Sequence, residues 1–291
     1  MEKFLIKKYL IMLELEKILE TVEFISSKTN HFKPEVGIVL GSGLGGLTKD
    51  IDIQYSIRYE DIPNFPVSTV KGHEGNLVFG TLCGRKVVVM QGRFHYYEGY
   101  STSTITFPIR VMKHLGIKLL VLSNASGGIN RTFRVSDIMI ITDHINLLPN
   151  PLIGPNDDRI GPRFPEMSEP YNRKAIALAD KIAGELGIKV QHGVYVADTG
   201  PSYETPSEYN YYGIIGGDCV GMSTVPEVIV ARHCGLPVFA MSVITDLGGK
   251  DLACEVTHEE VINAANVAEP KMSAILREMM KRFEELELES S

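Results

Sequence analysis

Residues Val87 to Tyr100 read Val-Val-Val-Met-Gln-Gly-Arg-Phe-His-Tyr-Tyr-Glu-Gly-Tyr, an apolar strand that ends in a burst of polar side chains. If the extended alternation continues, Arg93, His95 and Tyr97 share one face. A guanidinium fork, an imidazole and a phenol then stand side by side, a set able to cradle an anion next to something flat or sugar-like. An exposed loop of solvated charges, Glu98 included, is the alternative reading. A second candidate is Gly41-Ser42-Gly43-Leu44-Gly45-Gly46, directly after the apolar run Val36 to Leu40. It matches G-x-G-x-x-G and so raises a dinucleotide-binding unit. The acidic residue such a unit needs would have to be Glu60 or Asp61, and both stand in a turn beside Pro63 and Pro66. A more economical reading lets backbone N–H groups and the Ser42 hydroxyl approach a phosphate; a tight turn without ligand stays open.

The elements that must position these groups alternate along the chain. A helix is expected from about Leu13 to Ser27 with Leu15, Ile18, Leu19, Val22 and Ile25 on one face. Strands are expected at 36–40, 77–82, 86–91, 119–123, 138–142, 190–197 and 238–245, and helices at 104–115, 171–186, 207–215 and 225–234. A polar, Pro-rich loop spans Asn146 to Pro170. Thr257 and Glu260 form a capping box that opens a last helix, which Pro270 should kink or interrupt. This is an α/β pattern: one domain with a central, mixed, largely buried β-sheet flanked by helices. In such folds ligands collect at the carboxyl ends of strands.

Composition narrows the function. The chain has 291 residues, 44% hydrophobic and 22% charged, without a linker that would split it, and neither disorder nor a membrane span is expected. A formal charge of −7 argues against nucleic-acid binding. Cys83, Cys219, Cys234 and Cys254 are scattered, which suits reduced thiols in a cytoplasm and implies neither disulfides nor a metal. The apolar start, Met1 to Met12, is interrupted by Lys3, Lys7 and Lys8 and lacks a small-residue cleavage site. Residues 1–11 are therefore expected to be an extension, with Met12 an alternative start, and 12–291 the domain.

Eight motifs in order then carry a resemblance: Gly41-Ser42-Gly43-Leu44-Gly45, Gly72-His73-Glu74-Gly75, Gln91-Gly92-Arg93-Phe94-His95, Tyr97-Glu98-Gly99-Tyr100, Asn124-Ala125, Gly154-Pro155-Asn156-Asp157, Gly200-Pro201-Ser202-Tyr203-Glu204-Thr205 and Gly221-Met222-Ser223-Thr224-Val225-Pro226-Glu227. The chain closely resembles the trimeric purine nucleoside phosphorylases, the family that includes methylthioadenosine phosphorylase. The resemblance implies reversible phosphorolysis of a purine nucleoside to free base and ribose 1-phosphate. Inorganic phosphate is then a co-substrate and no cofactor is needed. By likeness, Ser42, Arg93, His95, the backbone of Ala125 and Ser223 hold phosphate, with His73 closing over it. Tyr97 and Met222 face the ribose, His258 its 5′-hydroxyl, and Tyr203 the purine plane. Glu204 accepts hydrogen bonds from the base. Phe164 would complete a neighbouring subunit's site, which implies a homotrimer. Met222 as core filler and His258 as a surface residue stay open as bland readings.

One position departs from the family. Where 6-oxopurine-specific members place Asn after the Thr of the strand Ser242-Val243-Ile244-Thr245, this chain has Asp246. Ionised Asp only accepts hydrogen bonds, so it favours a 6-amino group or a protonated N7 over a 6-oxo group. Alternatively, burial and Glu204 raise its pKa and leave it a proton for the departing base. His95, Glu204 and Asp246 are the expected catalytic residues, and inosine, guanosine and additionally adenosine the expected substrates. Glu204 and His258 speak against a methylthioadenosine enzyme, and the full anion set against a hydrolase or a non-catalytic nucleoside binder. Ser126 lacks a G-x-S-x-G setting and is given no role. Arg93→Ala is expected to depress the rate more than it alters folding.

Overall fold

The computed structural model describes residues 2–41, 45–67, 74–249 and 257–288. Helices are α1 (Glu2–Lys28), α2 (Thr102–Leu115), α3 (Arg173–Leu186), α4 (Pro206–Ile214), α5 (Val225–His233) and α6 (His258–Lys281). Strands are β1 (Val36–Leu40), β2 (Asp52–Arg58), β3 (Asn76–Leu82), β4 (Arg85–Gln91), β5 (Leu119–Gly128), β6 (Ile138–Asn146), β7 (Val190–Ala197), β8 (Cys219–Gly221) and β9 (Val238–Leu247). The expected α/β class with a mixed, buried sheet is what the chain adopts.

The sheet runs β2-β3-β4-β1-β5-β8-β7-β6-β9, and β9 also pairs with β5. Five strands, β5, β8, β7, β6 and β9, thus close into a small barrel, from which β1, β4, β3 and β2 extend as an open wing. Pairing β5–β9, β6–β7 and β7–β8 is parallel, and β5–β8 and β6–β9 antiparallel. β5 and β9 extend further than expected because both continue as bonded strands into polar segments, Asn124-Ala125-Ser126 and Asp246-Leu247. Their ladder slips between Ser126 and Gly127, so that Ser126 faces Ile244 but Gly127 faces Asp246. This bulge leaves Thr245 as the extra residue and re-aims the side chains after it, Asp246 first.

Two strands are not visible in the sequence pattern. β2 is an edge strand with exposed and half-buried residues throughout, so it lacks the apolar face that marks a strand. β8 has only three residues. β2 pairs antiparallel with β3, and the described residues after Gly41 resume in a short 3-10 helix, Gly45–Asp50. That is not the strand–turn–α-helix unit a dinucleotide site requires.

Two helix expectations are corrected. In α1, Ile18, Thr21 and Ile25 are fully buried but Leu19 is half exposed; the i, i+3, i+7 stripe faces inward and the next residue is rotated off it. Pro270 does not interrupt α6, which continues from His258 to Lys281. Burial of Ala265, Ala268, Met272, Ile275 and Met279 along that helix offsets the roughly 3 kcal/mol local cost of an interior proline.

Candidate active site

The site gathers at the carboxyl ends of β1, β4, β7, β8 and β9 and in the second half of β5. A cleft of about 730 Å³, its open mouth included, lies there. Its lining includes the residues expected at phosphate, Arg93, His95, Ala125 and Ser223, and those expected at the base, Tyr203, Glu204 and Asp246. Tyr97 and Met222, expected at the ribose, line it too, so that nine of the sequence-derived site residues share one cavity. Ser42 and His73 lie outside the described residues, as does the His258 side chain, although Val261, one turn along α6, lines the cleft. Phe164 is elsewhere: 86% exposed, with the Arg163 guanidinium 5.6 Å from its ring centre, it borders a separate groove with Ile153 and Met167.

The stretch from Val87 to Tyr100 does not continue as a pleat. β4 stops at Gln91, His95 is extended (φ −120°, ψ 153°), and Tyr96–Glu98 forms a single 3-10 turn closed by Gly99 at φ 92°. Tyr97 therefore reaches the cleft from a turn, not from one face of a strand. The turn is locked by reciprocal caps: Glu98 accepts from the His95 backbone N–H at 2.8 Å and stands 3.1 Å from His95 Nδ1. The His95 and Tyr97 rings stack at 4.6 Å and 17°. Burial holds the His95 pKa below its ordinary value, the Arg93 charge acting in the same sense and Glu98 opposing. At neutral pH the ring is uncharged; with Nδ1–H donating to Glu98, Nε2 is an acceptor.

Arg93 is 1% exposed and is not simply an anion fork. Its Nε and Nη2 donate to Glu227 at 3.3 and 2.9 Å, and Nη1 donates to the Ser123 carbonyl. At least three of its five N–H groups are thereby engaged by protein acceptors, and a buried carboxylate balances its charge. Glu227, in the first turn of α5, is visible in the sequence only as the last residue of a motif. Gly41 is required beside this pair, since a Cβ there would come within 2.7 Å of the Ser123 carbonyl oxygen and 2.8 Å of the Asn124 Cα.

Ser223 precedes α5. The next residue, Thr224, sits at φ 69°, ψ −56°, a strained conformation for a β-branched residue. Asn124 Nδ2 donates to Thr224 Oγ1 at 2.8 Å, and the Ser223 hydroxyl stands 3.0 Å from the same oxygen. The strained backbone thus presents Ser223 at the helix N-terminus, where the helix dipole favours an anion. Ser126 shares a 2.6 Å hydrogen bond with Ser242 inside the barrel.

At the other end two carboxyl groups meet. Asp246 accepts from Thr245 Oγ1 on Oδ1 and from the Tyr209 hydroxyl on Oδ2, each at 2.9 Å. Burial raises the Glu204 pKa to about 7, and the Asp246 and Asp198 carboxylates push the same way. Glu204 stands just before α4, whose capping box pairs Thr205 with Glu208 and whose first residue is Pro206. Tyr209, one turn into α4, also lines the cleft and is not among the residues the sequence nominates. The available signal was Tyr209 and Tyr212 at i, i+3, a buried aromatic face directly after Glu204. Among the described residues no cluster of three or more His, Cys, Asp or Glu could hold a metal.

These features fit an enzyme that places an anion against one side of a sugar and a flat base on the other. A family model for the phosphorylase superfamily matches residues 35–281, and the chain belongs to that superfamily. It is 53% identical over 253 residues to purine nucleoside phosphorylase 1 of Geobacillus stearothermophilus, spanning 85% of this chain and 92% of that one. The solved purine nucleoside phosphorylase of Schistosoma mansoni in complex with adenosine superposes with a TM-score of 0.87 at 45% identity, over 92% of this chain and 97% of that one. The Schistosoma mansoni enzyme in complex with inosine gives 0.87 at 44% identity, over 92% and 96%. Within the superfamily, the chain belongs to the purine nucleoside phosphorylases.

Proposed function

We propose that this phosphorylase acts on inosine and guanosine and on adenosine besides, passing the ribosyl or deoxyribosyl group to phosphate. The observation that carries this reading is the meeting, in one cleft, of a phosphate end (Arg93, His95, Ala125, Ser223) with a base end (Tyr203, Glu204, Asp246). Ser42 and His73 are assigned to the same phosphate, and Tyr97, Met222 and His258 to the ribose. A phosphate oxygen attacks the anomeric carbon as the C–N bond breaks through a cation-like sugar, and the base departs with the bonding electrons. No protein nucleophile is involved. Rate enhancement comes from positioning and from stabilising separated charge.

The His95–Glu98 hydrogen bond supports a specific role for His95: its neutral Nε2 accepts a phosphate O–H, which orients the nucleophilic oxygens. Arg93, held by Glu227, supplies a fixed guanidinium wall. Asp246, with a protein donor on each oxygen, presents acceptor capacity to a 6-amino group or to a protonated N7. Glu204 pairs with N1 of the base. The exposure of Phe164, outside its own chain's cleft, supports a homotrimer in which it completes a neighbouring site. Residues 12–291 form the catalytic domain in this reading, and the free thiols Cys83, Cys219 and Cys234 support a reducing, cytoplasmic setting.

Release of hypoxanthine from inosine with and without added phosphate tests the reaction class; equal rates would overturn it. Asp246→Asn should shift efficiency from adenosine towards inosine. No adenosine cleavage by the wild type would sink the role given to Asp246.

A further inference from the structure

Tyr209 occupies a place no assigned role explains. Its ring is wedged between two strand ends: a Cβ on Gly127 would collide with its hydroxyl, and one on Gly248 with its ring. The residue is 7% exposed, and its phenol O–H donates to Asp246 Oδ2 at 2.9 Å. Gly127 faces Asp246 across the β5–β9 bulge, so the same irregularity that aims Asp246 makes room for the phenol.

A phenol has one proton to donate. We propose that Tyr209 is a specificity-determining positioning residue: its phenol O–H fixes Asp246 as an acceptor for a base edge that carries an amino donor. Adenosine presents an N1 acceptor and a 6-amino donor, which match protonated Glu204 and the acceptor oxygens of Asp246. Inosine presents N1–H, which matches ionised Glu204. Without the phenol, Asp246 loses the donor that holds it in its acceptor role, and the adenosine edge loses most.

The titratable groups acting on Glu204 come from three elements: Asp198 beyond β7, Asp246 at the end of β9, and Tyr209 and Tyr212 on α4, with Tyr203 beside it in the chain. Burial and the Asp246 and Asp198 carboxylates favour protonated Glu204, while its own backbone N–H and the nearby Tyr209 hydroxyl oppose them, so both protonation states are accessible near neutrality.

This role for Tyr209 rests on the one proposed for Asp246. The test is kcat/KM for adenosine and inosine between pH 5.5 and 8.5 in the wild type, Tyr209→Phe, Asp246→Asn and the double variant. In the wild type the adenosine-to-inosine ratio should fall about tenfold across this range, following the proton on Glu204. Tyr209→Phe should lower the ratio about five- to tenfold across this range, with inosine efficiency at pH 8 within about threefold of wild type. In the Asp246→Asn background it should leave the ratio unchanged. A merely structural role would lower both substrates together and leave the ratio where it was, and that result overturns the assignment of Tyr209 alone. A wild type inactive on adenosine at every pH overturns the Asp246 reading and this one with it.

Discussion

Glu204 meets two opposed demands, burial against the base and charge for accepting its N1–H. Its pKa of about 7, against an ordinary 4.5, puts the cost of ionisation on the folded state. Below 4.5 the group is protonated folded and unfolded; above 7 it is ionised in both, and the native state bears the whole penalty. Stability from this group therefore declines as pH rises from about 4.5 to 7. Glu204→Gln should stabilise the protein at pH 8 by about 1–2 kcal/mol, after allowance for residual solvent contact. At pH 4.5 it should change little, while the KM for inosine rises at least tenfold at pH 8. Thermal melts at both pH values check this, and equal shifts at the two would refute it. Arg93 gives the converse case. Because its partner Glu227 is 4% exposed, Arg93→Ala strands a buried carboxylate, and a stability loss of about 3–5 kcal/mol is expected in urea titrations. Guanidinium and carboxylate are as much a structural unit as a binding one, so the rate loss expected of Arg93→Ala comes with a folding cost.

At the scale of elements, α4 shows how a cap becomes a positioning device. Thr205 accepts from the Glu208 backbone N–H, Glu208 returns a 2.7 Å bond to the Thr205 N–H, and Glu204 is the residue just outside. Thr205→Ala should cost about 1 kcal/mol and raise the KM for inosine about three- to tenfold with phosphate KM unchanged; a phosphate effect of equal size would refute the local account. The same elements show what was legible in the sequence. Apolar strands β1, β3, β4, β7 and the capped helices could be read from pattern, and the motif-bearing residues from resemblance. β2 could not, having no apolar face, nor the 3-10 turn at 96–98, whose residues are indistinguishable from a continuing pleat until Glu98 is seen to cap His95. The pairing of Arg93 with Glu227 spans 134 positions, and no local spacing reports it. The Tyr209–Asp246 bond depends on a bulge register, which hydrophobic alternation does not specify.

At the scale of the whole molecule, the long loop 146–170 carries its aromatic residue away from the chain's own cleft. In the proposed homotrimer Phe164 meets a neighbour's nucleoside. Phe164→Ala should elute as the same oligomer and raise the nucleoside KM about five- to tenfold, as loss of one aromatic contact would, with the phosphate KM unchanged. A monomeric elution volume for the wild type, or an unaltered KM, would refute it.

β9 brings Asp246, lies between β5 and β6, and is the last in chain order of the strands among the described residues. During synthesis every other wall of the barrel is made before its keystone. Until residues 238–247 leave the ribosome, β5 and β6 each present an unpaired side, the kind of edge that recruits other chains. The base-binding carboxylate is also missing. A nascent chain therefore passes through a stage that is nearly complete, inactive and adhesive, and chains cut short before Val238 should be recovered as aggregates rather than as weakly active enzyme.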